Sequence, residues 1–239
     1  MSGDRPFVIL NTAVTADGKI DTIARQGAVI SSASDWERVD RLRAESDAIM
    51  VGGRTLLGED PRLLVKSPSL REERLARGLE ENPIKVGILT KIDDPADGPT
   101  LHVGSRFVTA GPARRVIFTS GLSSAEQIER LRKLGVEVLV AGERRVDLAE
   151  ALRRLVSMGV KKLLVEGGST LNAELLRQRL IDEIYLYVAP LIFEGASAPT
   201  LADGPGLQRN EAIRLRLLDV EKMEDGAVLL HYALRDTET

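Results

Sequence analysis

Two stretches of this 239-residue chain end an apolar run on a pair of glycines: VGGRTLLGEDP at 51–61 and KKLLVEGGSTLNAEL at 161–175. Glycine lets a chain leaving a strand turn sharply and approach a ligand closely. If a helix starts there, its first amides and its dipole favour an anion such as a phosphate. In the first stretch Gly52 and Gly53 precede the hydroxyl of Thr55; in the second Gly167 and Gly168 precede Ser169, Thr170 and Asn172, and Glu166 stands just before the turn. Each pattern also fits a turn chosen only for its geometry, with Ser169 or Thr170 serving as a helix cap. Two such turns in one chain carry more weight than either alone, because ligands of open α/β sheets collect beyond the carboxyl ends of the strands. A nucleotide meeting both is the leading expectation. Neither stretch matches G-x-G-x-x-G or G-x-x-x-x-G-K-[ST], which disfavours a standard dinucleotide fingerprint and a P-loop.

Two further groups could face a ligand. In NTAVTADGKID (11–21), Asp17 and Lys19 flank Gly18 just past an apolar run, although DGK is also a common turn sequence. Arg43, Arg54, Arg62 and Lys66 could each neutralise a phosphate, with surface solvation as the default for each.

Regular elements must position these residues. FVILNTAV near the start reads as a buried strand. In SSASDWERVDRLRAE (31–45), Ser31 or Ser32 can cap a helix, Asp35 suits its first turn, and Trp36, Val39 and Leu42 recur at helical spacing. DAIMVGG gives a short strand, and Pro61 stops the brief segment after it. Further strands are expected at 86–89, 115–119, 136–140, 162–165, 183–188, 215–220 and 227–234, and helices at 123–134, 147–158 and 169–179. Strands alternating with helices imply right-handed crossovers and a largely parallel sheet, with an antiparallel edge where the last strands lack helices between them. Residues 67–83 are charged and read as an exposed loop or a surface helix; 91–112, rich in proline and glycine, read as a long surface excursion. One domain is expected over 1–239, with an ordered core of about 6–235.

Composition narrows the chemistry. With 33 Lys+Arg against 36 Asp+Glu and a net charge of −3, nothing advertises a nucleic-acid partner. The absence of cysteine excludes disulfides, thiolate catalysis, iron–sulfur clusters and cysteine-bound zinc. His102 and His231 lack metal-ligand spacing, so no metal is expected. No apolar stretch approaches the roughly 20 residues that span a bilayer, and MSGDRPFVILNTAV has no signal-peptide pattern, so a cytoplasmic protein without a membrane partner is expected.

Taken together, TADGKI, LRAESDAIMVGGRTLLGEDPRLLVK, KLLVEGGSTLNAELL and IDEIYLYVAPLIFEGASAPTLADGPG resemble, in order and spacing, the reductases of riboflavin biosynthesis. The resemblance extends over residues 7–234 and implies a dihydrofolate-reductase-like three-layer α/β fold, a mixed, mostly parallel sheet with helices on both faces and an antiparallel C-terminal edge. It implies NADPH as cofactor, with NADH the alternative donor, and reduction of a ribosylamino-pyrimidine 5′-phosphate to its ribitylamino product by a homodimer. It places Ala13, Gly52, Gly53, Thr55, Glu59, Asp60 and Thr90 at the cofactor, with Gly167, Gly168, Ser169, Thr170 and Leu171 forming the pyrophosphate turn. Arg43, Leu63 and Lys66 match substrate-holding positions, Glu166 a substrate-contacting acid, and Asp17 and Lys19 a turn at the pocket; Glu166, Asp17 and Lys19 are the catalytic candidates.

The chain departs from the family pattern at Glu59–Asp60, where two aspartates are usual, at Leu89–Thr90 in place of Asp-Ser, and at Val29 in place of an aromatic. No HxE…PCxxC deaminase signature is present, so a stand-alone reductase is expected, acting on the 2,5-diamino-pyrimidinone. The alternatives are the deaminated uracil substrate, another dihydrofolate-reductase-like reductase, and a nucleotide-binding module without catalysis.

Overall fold

The computed structural model describes residues 3–92 and 100–235. In chain order the elements are β1 (Phe7–Thr15), α1 (Ala33–Glu45), β2 (Ala48–Gly52), α2 (Gly53–Glu59), α3 (Pro68–Ala76), β3 (Ile84–Leu89), α4 (Arg106–Thr109), β4 (Arg115–Thr119), α5 (Ala125–Lys133), β5 (Glu137–Val140), α6 (Leu148–Ser157), β6 (Lys162–Val165), α7 (Ser169–Arg177), β7 (Glu183–Ala189), β8 (Leu215–Lys222) and β9 (Val228–Leu234). Where one reductase domain is expected, the chain divides into two compact units. One comprises Asp40–Leu164 with the segment before Phe7; the other comprises Phe7–Val39 and the chain from Val165 onward.

In the first unit the strands lie in the order β5-β4-β3-β2-β6, and β2–β3, β3–β4 and β4–β5 pair in parallel. AIMVG of β2 is buried along its whole length, as a strand covered on both faces must be. Strands β2 to β5 step outward in one direction and the chain then returns to β6 beyond β2, so right-handed crossovers place helices on both faces. Gly87 on β3 sets how closely α2 approaches: a Cβ there would lie 2.6 Å from Leu56 Cδ2 and 2.6 Å from Ile117 Cδ1.

In the second unit the order is β1-β7-β9-β8; β1 and β7 are parallel, and the β7–β9 and β9–β8 pairs are antiparallel. The expected mostly parallel sheet with an antiparallel C-terminal edge is thus present. Strand β8 is exposed from Arg216 on, whereas FVILNTAVT of β1 is buried from Val8 through Thr12 and again at Val14 and Thr15.

Helix α1 forms where the spacing of Trp36, Val39 and Leu42 puts it, with Val39 and Leu42 buried and Trp36 40% exposed. Two expectations need correction. Residues 67–83 hold the helix α3, capped by Ser67, and this helix is not merely a surface one. Its Arg74 is only 2% exposed and donates to the carbonyls of Ala44 (2.8 Å), Ser46 (2.7 Å) and Glu80 (2.9 Å), tying α3 to the end of α1. Residues 100–112 contain α4, and Leu101 and Phe107 are core residues; residues 93–99 of that expected excursion lie outside the described residues.

A buried cation also organises this region. Lys85 on β3 is fully buried, and its ammonium donates to the carbonyls of Ala110 (2.6 Å) and Phe107 (3.3 Å). Burial, reinforced by Arg115, pulls its pKa from 10.5 down to about 8. Between those values the unfolded chain binds a proton that the folded chain does not, so this site adds stability as pH rises from about 8 to 10.5.

Two outcomes follow from these buried cations. In urea unfolding, the stability of wild type relative to Lys85→Met should increase between pH 8 and 10.5; a difference flat across that window contradicts the assignment. Arg74→Met leaves three carbonyls without their donor and should cost roughly 2–5 kcal/mol at pH 7, given about 1–3 kcal/mol for each unsatisfied group and partial rescue by water.

Candidate active site

In the first unit β2 runs directly into α2. Gly52 takes the N-cap position, and no side chain caps the helix. Gly53 has no room for a side chain, because a Cβ would sit 2.9 Å from Leu89 Cδ2 and 3.2 Å from the Ile88 carbonyl. Strand β3 ends beside it, at Leu89, and Thr90 follows with an exposed side chain. Thr55 is half-buried and Glu59 exposed. Asp60 Oδ2 accepts from the Arg106 amide (2.7 Å) and its Oδ1 from the Phe107 amide (3.1 Å), so its carboxylate holds the start of α4.

The structure brings the substrate candidates Arg43, Leu63 and Lys66 together. Arg43, in the last turn of α1, is buried and donates to the Leu64 carbonyl at 3.1 Å. The chain at 65–67 is fixed by two residues that sequence reasoning missed. Asp40 accepts from the amides of Lys66 and Ser67, both at 2.7 Å, and Asn82 accepts from the Val65 amide at 3.0 Å. Asp40 precedes Arg43 by one helical turn, but nothing in its type marks it as an acceptor for a distant loop. Leu63 is buried as a whole residue and has a positive φ of 49°.

The second unit resumes at Val165, the last residue of β6, and Glu166, Gly167 and Gly168 follow before α7 starts at Ser169. Gly167 has φ +95°, which favours glycine, and the Gly167–Gly168 peptide is cis. Gly168 is the N-cap, and no side chain caps α7. Glu166 is half-buried and Thr170 exposed. Ser169 and Leu171 are buried. Asn172 is fully buried and donates to the Leu201 carbonyl at 2.9 Å. Ala13, on β1, packs against the cluster around Tyr187 and Leu229.

Asp17 braces a loop. Its carboxylate accepts from the Thr15 hydroxyl (2.5 Å) and from the amides of Phe193 (3.3 Å) and Glu194 (2.9 Å). The Thr15 hydrogen bond, joined by those amides, holds its pKa below the ordinary carboxylate value against a smaller opposing effect of burial. That direction suits an ionised brace. Lys19 lies in the turn that Asp17 stabilises and bridges Thr200 in antiparallel fashion. His231 behaves as an ordinary strand residue, its Nε2 3.0 Å from Glu183 and its ring stacked on Tyr185. Among the described residues no group of His, Asp and Glu could hold a metal, and no helix is long and apolar enough to cross a membrane.

Residues 6–229 match the model of the RibD C-terminal domain. The chain belongs to that family. It is 39% identical over 222 residues to a protein of Archaeoglobus fulgidus named 2,5-diamino-6-ribosylamino-4(3H)-pyrimidinone 5′-phosphate reductase, covering 93% of this chain and 95% of that one. It is 42% identical over 214 residues to a Methanothermobacter thermautotrophicus protein of the same name, with 89% and 91% covered. A pyrimidine reductase-like protein from Corynebacterium diphtheriae has the same fold, with a TM-score of 0.81 at 22% identity over 98% of this chain and 94% of that one. The RibD C-terminal fold therefore carries both glycine turns at strand ends in this protein.

The bracing role of Asp17 has a direct readout. Asp17→Asn removes the charge that binds two main-chain amides, so hydrogen exchange at Phe193 and Glu194 should quicken by roughly tenfold, for about 1–2 kcal/mol of lost interaction. Unchanged exchange at both amides would contradict the assignment.

Proposed function

We propose that the protein catalyses the NADPH-dependent reduction of 2,5-diamino-6-ribosylamino-4(3H)-pyrimidinone 5′-phosphate to its ribitylamino product, working in the cytoplasm as a homodimer. One observation carries this reading: near-full-length likeness to two proteins of that name, in a chain that places Glu166 immediately before a glycine turn and an uncapped helix. The turn fits a phosphate-bearing cofactor, because α7 starts behind a glycine N-cap, its dipole favours an anion there, and Gly167 offers no side chain to obstruct one.

When bound, NADPH supplies the hydride that C1′ of the opened ribose accepts. The protein binds, orients and moves protons. Gly167 to Leu171 offer main-chain groups to the pyrophosphate, and Gly52, Gly53, Thr55 and Thr90 are further cofactor-binding residues. Arg43 and Lys66 neutralise the substrate phosphate, each anchored through the 63–67 segment. Glu166 orients the ribose and relays the proton that the ring oxygen takes up when the ring opens to the imine-like form.

NADPH oxidation followed with the diamino and the deaminated substrates side by side tests the proposal. Faster turnover of the diamino compound is expected; turnover of dihydrofolate instead, or NADPH binding without turnover of either pyrimidine, would sink it. Glu166→Gln should depress kcat by about 10²-fold or more while leaving NADPH affinity within a few-fold. Lys66→Ala should raise KM for the phosphorylated substrate by roughly tenfold to a hundredfold, since a charge-assisted contact contributes about 1.5–3 kcal/mol; an unmoved KM removes Lys66 from the substrate site.

A further inference from the structure

A short segment of the second unit, Pro199–Gly204, is pinned at both ends to turns that the proposed function uses. At one end the Ile20 amide donates to the Pro199 carbonyl at 2.9 Å, and Thr200 bridges Lys19. At the other end the Asp203 amide donates to the Ser169 carbonyl at 3.2 Å, and Asn172 reaches the Leu201 carbonyl. The segment is cross-braced between these anchors. The Thr200 amide and hydroxyl both donate to Asp203 Oδ1, at 3.1 and 2.7 Å, and the Ser169 hydroxyl is a further hydrogen-bond partner of that carboxylate. Gly204 lies against α7, where a Cβ would meet Arg177 at 2.7 Å and Ala173 at 3.5 Å.

A loose connection would let the turn at 15–20 and the first turn of α7 fluctuate independently. Here every anchor between them is a main-chain or buried polar contact within six residues, and one carboxylate gathers Thr200, Ser169 and its own strap. We propose that Pro199–Gly204 is a strap that couples the glycine turn at 167–172 to the Asp17–Lys19 turn, with Asp203 as its positioning residue, so that a phosphate-bearing cofactor held at the first turn orders the second. This rests on the reading of Gly167–Leu171 as a cofactor turn. Ordering one end lowers the cost of ordering the other, which is how a rigid link transmits binding without a large change of shape.

Hydrogen exchange on the full chain, with and without saturating NADPH, tests the coupling. In wild type, NADPH should slow exchange at 169–172 and also at Gly18 and Lys19. In Asp203→Asn, and in Thr200→Val, which removes one donor from the same carboxylate, protection should remain at 169–172 while that at Gly18 and Lys19 falls by about tenfold. Protection at 169–172 alone in wild type, or variants indistinguishable from wild type with the same unfolding midpoint, would overturn the coupling. Protection at neither segment would overturn the cofactor reading, and the coupling with it.

Discussion

The first amides of a helix have no partner within it, and the N-cap of α7, Gly168, has no side chain to offer them. The chain on either side fixes where those amides lie. Strand β6 ends in buried Leu163, Leu164 and Val165, which fix the point where the chain leaves the sheet. Gly167 then takes a φ that an L side chain rarely adopts, and Leu171, Leu175 and Leu176 bury the inner face of the helix. Glu166 owes its place to this exit: it is the residue between a buried strand end and a turn that glycine follows easily.

Buried polar groups perform the equivalent task in the first unit. Asp40 and Asn82 hold the amides of 65–67, Arg74 closes the carbonyls at the end of α1, and Lys85 closes those around α4. Each couples a loop to a strand or helix through a group whose burial would be costly without its partners. Arg43 and Lys66 gain defined positions from this network, which matters more than their charge alone, since an exposed cation on a loose loop would spend its interaction energy on being ordered.

The strands and the long helices were legible in the sequence because apolar runs bounded by glycine and proline are strong local signals. Strand β4 at Arg115–Thr119 and β6 at Lys162–Val165 fall where the pattern puts them, and Ser32 caps α1 by accepting from the Asp35 amide. The glycine turns were legible as turns for the same reason. Composition misled at 67–83, where a charged sequence hides Leu70 and a buried Arg74: a guanidinium that satisfies three carbonyls looks, in sequence, like any solvated arginine. Helical spacing marked the stripe of α1 but not which of its residues reaches the core, and Trp36 stays exposed. The tasks of Asp17, Asp40, Asp60 and Asp203 were not legible, because each accepts from atoms far along the chain or across a turn, and acceptor geometry leaves no periodic trace.

The account stands or falls on whether the turn after β6 holds the cofactor. Gly167→Ala is the direct probe: a Cβ there meets no atom within 4 Å, so the substitution acts through the backbone, at about 1–2 kcal/mol for a positive φ. With NADPH binding followed by nicotinamide fluorescence and the fold checked by circular dichroism, the variant should remain folded and bind NADPH at least about tenfold more weakly than wild type, as expected when anion-binding amides are misaligned by even part of a hydrogen bond. A folded Gly167→Ala protein that binds NADPH as tightly as wild type would contradict it.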